Sequence, residues 1–130
     1  PPQELFEEPG GEAMKNQSGK AGEEHIARWL ESQGYEILAR NFHSRYGEID
    51  IVAQRPPYIA FVEVKARVEN SLVSPFEAIT PRKQRKIIAT AQEYLRQHPS
   101  GLQPRFDAAA VHLQEGTVVG QEYLENAFWG

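Results

Sequence analysis

Gly47-Glu48-Ile49-Asp50-Ile51-Val52 and Phe61-Val62-Glu63-Val64-Lys65 are two strand-like runs joined through the turn Arg55-Pro56-Pro57-Tyr58. Closed into an antiparallel hairpin centred on Pro56–Pro57, they set Asp50 opposite Glu63. Side chains alternate along a strand, so Glu48, Asp50 and Val52 share one face, and Phe61, Glu63, Lys65 and Arg67 share the facing one. Like charges directly opposite on a sheet repel, and two carboxylates at one site push one pKa upward. A divalent cation removes that conflict. Carboxylates on a rigid sheet, with a lysine two residues beyond one of them, suit phosphodiester hydrolysis, in which a hard metal holds phosphate and water. The plain alternative is a solvated hairpin with surface ion pairs worth roughly a few tenths of a kcal/mol each. Against it, Ala60, Val62, Val64 and Ala66 make the other face apolar, and Phe61 adds an apolar group to the charged face. A strand apolar on both sides belongs inside a helix-covered sheet, where charges need an offsetting partner.

The chain has 130 residues, the size of one domain with a full core. It lacks cysteine, which excludes disulfides, thiolate zinc sites and a cysteine nucleophile and fits a reducing compartment. No apolar run reaches membrane-span length and no signal peptide opens the chain, so the expectation is a cytoplasmic protein with no membrane partner. The formal charge is −4, and residues 1–18 carry four glutamates against one lysine. The remainder is therefore nearly balanced and leaves room for a local basic patch.

Residues 1–18 are rich in Pro, Gly and Glu without apolar period and read as a disordered tail, leaving 19–130 as a single domain. Ser18 or Gly19 opens a helix that buries Ile26, Ala27 and Leu30 and ends at Gly34. Tyr35–Asn41 reads as a strand ahead of the two motif strands, and residues 68–79 as a loop. Thr80-Pro81 is a helix start, an N-cap followed by proline. Ile87, Ile88, Ala91 and Tyr94 or Leu95 give that helix its apolar face. Strands over Arg105–Leu113 and from Thr117 to about Leu124 complete the chain. Helix, three strands, helix and two strands imply a layered α/β domain.

Glu23 lies on the same helical face as Ile26, Ala27 and Leu30, so its carboxylate points to the sheet. The competing account is a first-turn glutamate answering the helix dipole. Arg82, Lys83, Arg85 and Lys86 crowd the start of the second helix, where the dipole disfavours cations and a phosphate backbone would compensate. His25, His43, His98 and His112 show no metal-ligand spacing. Asp107 reads as a structural partner of Arg105 or an N–H group, and Trp29, Phe128 and Trp129 as core or interface residues.

Gly22-Glu23, Gly47-Glu48-Ile49-Asp50, Phe61-Val62-Glu63-Val64-Lys65-Ala66-Arg67, Arg82-Lys83-Gln84 and Arg105-Phe106-Asp107 together resemble the YraN-like family of small bacterial proteins, over about residues 19–128. That family is similar to archaeal Holliday-junction resolvases and belongs with the restriction-endonuclease-like PD-(D/E)XK fold. The resemblance implies a two-layered αβββαβ core, a central mixed sheet flanked by helices, with a Mg²⁺ or Mn²⁺ site. Asp50 matches the motif aspartate, Glu63 the acidic residue of (D/E)XK, Lys65 its lysine and Glu23 the first-helix glutamate. Ile49 stands where the wider superfamily has proline.

The expectation is a metal-dependent endodeoxyribonuclease acting on DNA phosphodiesters at branched or junction structures. Asp50, Glu63 and the Val64 main-chain carbonyl would hold the metal, with Glu23 completing the shell directly or through water. Lys65 would orient or deprotonate the attacking water, its pKa lowered by burial and the metal. Arg67, Arg82, Lys83, Gln84, Arg85 and Lys86 would bind nucleic acid, DNA being the expected partner and RNA an open alternative. A resolvase cuts two strands symmetrically, so the resemblance also carries the expectation of a homodimer. Two other readings stand beside it: a non-catalytic nucleic-acid-binding module, and a protein-interaction subunit with Phe128 and Trp129 at its contact.

Overall fold

Helix α1, Pro9–Ser32, opens on a proline, suited to a first helical position, and runs through Glu12, Ala13, Met14, Lys15 and Gln17, all good helix formers. A computed structural model describes residues 9–68, 76 and 79–128, with side chains from residue 19 onward except at Val68. The helix therefore starts well ahead of Ser18–Gly19, and residues 9–18, expected as tail, are helical; the rest of the tail lies outside the described residues. It ends where the sequence places its cap. Gly34, at φ +92°, gives its N–H to the Glu31 carbonyl at 3.1 Å, and Tyr35 N–H reaches the Leu30 carbonyl at 3.0 Å. These are the paired bonds of a left-handed glycine cap.

Strands β1 (Glu36–Ser44), β2 (Gly47–Arg55) and β3 (Tyr58–Val68) follow, then helix α2 (Pro81–Gln97) and strands β4 (Gln103–Gln114) and β5 (Thr117–Phe128). One five-stranded sheet has the order β1-β2-β3-β4-β5. Only β3 and β4 are parallel, and α2 lies between them in the chain; every other pair is antiparallel. This is the expected mixed α/β sheet with an αβββαβ core, extended by β5. Most of the 68–79 loop lies outside the described residues.

The sheet is covered on both sides. Ile26, Ala27 and Leu30 of α1 pack with Ile51, Ala53, Ala60, Val62, Ala109 and Val111. Ile87, Ala91 and Tyr94 of α2 pack with Ile49, Val52, Ile59, Phe61, Phe106 and Ala108 on the opposite face. The sheet is thus flanked by helices as expected, one more layer than the two-layered core the resemblance implies, because β2, β3 and β4 are apolar on alternate and intervening positions alike and each face needs a cover. Helix α2 begins as read: Thr80 Oγ1 accepts the Lys83 N–H at 3.2 Å, with Pro81 following. Phe128 is buried, its ring stacked on Phe106 at 5.3 Å, which makes it core rather than contact surface. Trp129 lies outside the described residues.

Asp107 is fully buried and serves structure. It accepts from Arg105 Nε at 2.9 Å and Nη2 at 2.8 Å, from Tyr123 Oη at 2.6 Å and from the Asn126 N–H at 3.0 Å. Among the described residues, no helix is long and apolar enough to cross a membrane.

Candidate active site

The Pro56–Pro57 turn sets Arg55 opposite Tyr58, and this register holds inward to Ile51 opposite Val62, where the β2–β3 ladder ends. One residue further, Asp50 Oδ2 takes the Val64 N–H at 2.8 Å, a side chain standing in for the backbone. A cleft of about 350 Å³ opens there. Asp50, Glu63, Val64 and Lys65 line its sheet side, Glu23 reaches it from α1, and Lys83, Lys86 and Ile87 line it from α2. The predicted catalytic set is thus brought together from three elements.

Glu23 is well beyond the first turn of α1, because the helix starts at Pro9, so the dipole account of this residue does not apply. Gly22, just before it, is where α1 runs over the sheet, and a Cβ there would make ordinary contact with Ala66 and Val111 at 3.6 Å. Glu24 does not turn inward and pairs instead with Arg28 and with Arg40, the latter at 3.1 Å.

The charges in the cleft are not free to relax. Burial and the facing Glu63 carboxylate push the Asp50 pKa up to about 8, against the single restraining bond from Val64. Burial also raises Glu23, partly offset by Asn41 and Arg40. Lys65 Nζ sits 3.2 Å from Glu63 Oε2, and Lys83 Nζ sits 3.9 Å from the same oxygen. For Lys65, burial pulls the pKa down, but contacts with Lys83 and Glu63 outweigh it and the net shift is upward. Lys65 thus keeps its proton more firmly than a free lysine, a direction opposite to the lowering expected from burial and a metal together. Lys83 moves the opposite way, lowered by its contact with Lys65 and by burial.

Not every predicted binding residue reaches the cleft. Lys83 and Lys86 line it; Arg67, Arg82, Gln84 and Arg85 do not. Gln84 donates to the Ile79 carbonyl at 3.1 Å and secures the start of α2. Sequence reasoning missed Asn41. The β1–β2 register, Arg40 opposite Ile51 and Phe42 opposite Ile49, puts Asn41 beside Asp50. Its φ of +55° is a conformation that asparagine tolerates better than most residues. A larger groove of about 630 Å³, walled by Ile88, Ala91, Leu95, Phe106 and Phe128, lies elsewhere and has no carboxylate pair.

The model of uncharacterised protein family UPF0102 matches residues 22–111, from just before Glu23 through all of the cleft. The chain belongs to the UPF0102 family. A UPF0102 protein of Chlorobium chlorochromatii is 40% identical over 116 residues, covering 85% of this chain and 90% of that protein. One from Pelobacter propionicus is 44% identical over 114 residues, covering 85% and 81%. One from Bifidobacterium longum subsp. infantis is 41% identical over 116 residues, covering 86% and 93%. The YraN-like resemblance is to this same UPF0102 family, and the match takes in Glu23, Asp50, Glu63, Lys65, Lys83 and Lys86 together.

Proposed function

We propose that this protein is a Mg²⁺- or Mn²⁺-dependent endodeoxyribonuclease of the PD-(D/E)XK type, hydrolysing DNA phosphodiesters at branched or junction structures. One observation carries the reading: two facing, half-buried carboxylates, one with its pKa pushed up to about 8, sit beside two lysines in an open cleft. Such an arrangement costs folding free energy and is explained by a ligand that offsets it.

Among the described residues, no three histidine, aspartate or glutamate side chains form a ready-made metal cage. The donor chemistry nonetheless fits a hard ion, because Asp50 and Glu63 offer only oxygen, and Mg²⁺ is characteristically held by one or two carboxylates plus water and substrate phosphate. Asp50, Glu63 and the Val64 carbonyl would hold the ion, with Glu23 joining directly or through water. Bound there, it would polarise the phosphate and lower the pKa of an attacking water. Lys65 orients that water and stabilises charge on the phosphate. Lys83 and Lys86 bind flanking phosphates. Glu63 holds Lys65 in position.

Asp50→Ala and Glu63→Ala are each expected to abolish Mg²⁺-dependent cleavage of labelled four-way junction, flap, duplex and single-stranded DNA. Cleavage that survives both changes overturns the assignment. A second reading, a binding module without turnover, draws on the Lys65–Glu63 pair, which already places a cation against one carboxylate. Salt-sensitive DNA binding with no cleavage in either metal would select it.

A further inference from the structure

The β1–β2 turn carries a feature that neither core uses. Tyr46 stands 40% exposed at the tip of that hairpin, and Arg45 Nη2 donates to its hydroxyl at 2.8 Å. The Arg45 guanidinium lies over the Tyr46 ring, 5.0 Å from its centroid. The turn is held against α2. Ser44 Oγ accepts the Tyr46 N–H at 3.0 Å and donates to Thr90 Oγ1 at 3.3 Å, and Thr90 is in turn bonded to the Lys86 carbonyl at 2.8 Å. Gly47 takes φ +151°, a conformation side chains rarely adopt, and lies against α2, where an added Cβ would be 3.5 Å from Thr90 Oγ1.

These contacts tie the aromatic tip to the helix that supplies Lys83 and Lys86 to the cleft. By strand rise, Tyr46 stands roughly 13 Å from Asp50, within about four nucleotides of a stacked strand. Lys86 lies beside Gly47 on the way. The one carboxylate of α2 beside the turn, Glu93, is paired with Arg96.

We infer that Arg45 and Tyr46 form a stacking platform for an unpaired DNA base, so that the preferred substrate carries single-stranded nucleotides next to the cut rather than continuous duplex. The inference rests on the nuclease reading above and deepens it. An aromatic ring beside cationic groups is the usual means of holding unpaired bases without sequence preference, since every base has a π-face. A paired base keeps its face within the duplex stack and cannot use it.

The test uses the full chain in EDTA, so that no cutting intervenes, with a single-stranded oligonucleotide carrying 2-aminopurine and a blunt duplex of the same sequence. Wild type and Tyr46→Phe should bind the single strand alike and quench the probe. Tyr46→Ala should bind it about 5- to 100-fold more weakly with quenching lost, while duplex affinity stays unchanged. The tip lies outside both cores, and circular dichroism checks that the variants are folded. Equal binding and quenching by Tyr46→Ala overturns the platform. If Asp50-dependent cleavage persists in that case, only this inference fails. If the wild-type chain binds no nucleic acid of either form in EDTA and cleaves none in Mg²⁺ or Mn²⁺, the nuclease reading fails with it.

Discussion

Asp50 ties the stability of the fold to its proposed chemistry. Its pKa stands near 8 in the folded protein, against 3.8 for an ordinary aspartate, because of burial and Glu63. Between these values the folded chain binds more protons than the unfolded one, so stability is greatest below the unfolded pKa and falls as pH rises toward 8. Asp50→Asn removes the titration and keeps an acceptor for the Val64 N–H. It should therefore be more stable than wild type at pH 8, by about 1–3 kcal/mol, with the gap closing as pH falls toward 4. Differential scanning fluorimetry across that range checks it; a constant gap would show that Asp50 is not carrying a protonation cost. Millimolar Mg²⁺ at pH 8 should raise the wild-type melting temperature and leave Asp50→Asn unmoved, a readout independent of cleavage. At this scale the sequence was highly legible: Glu-X-Lys and the hairpin centre were enough to set Asp50 near Glu63. The upward shift of Lys65 was not legible, because it depends first on the approach of Lys83 from α2, which strand spacing cannot supply.

Elements carry the carboxylates to one place, and their ends decide how. The register of β2 and β3 follows from the turn, but the ladder's end at Ile51–Val62 comes from Asp50 capturing the Val64 N–H. Helix α1 shows where sequence reading stops short. Its apolar stripe begins only near Gly22, so a reading by amphipathic period starts the helix late, and Gly10, Gly11 and Gly19 argue against an earlier start while Glu12–Lys15 and Gln17 favour one. Gly22 is buried in that helix, and a methyl added there would meet Ala66 and Val111 at 3.6 Å, an ordinary van der Waals contact. Gly22→Ala is therefore expected to stabilise the protein by about 0.5–1 kcal/mol, measured by urea unfolding. A loss of stability would mean that α1 cannot give the little space a methyl needs.

The whole molecule has a formal charge of −4, yet its cleft gathers Lys65, Lys83 and Lys86 beside one another. DNA affinity should accordingly be local and modest in its salt dependence. About three phosphate contacts to a single strand predict a slope near 2 in log Kd against log salt, falling by about 0.7 in Lys86→Ala. An unchanged slope in that variant would place the DNA elsewhere. Arg82 and Arg85, equally basic in sequence, belong to the same helix but line no part of the cleft, so only packing separates them from Lys83 and Lys86. By itself the sequence determined the element order, the β2–β3 register, the glycine that ends α1, the cap that opens α2 and the identity of the acidic and basic residues, because each rests on contacts between near neighbours in the chain. Tertiary structure alone decided which basic residues of α2 reach the cleft beside Asp50 and Glu63, and that the Arg45–Tyr46 tip is held to α2. Those contacts join residues far apart in the chain, and no local period or propensity encodes them.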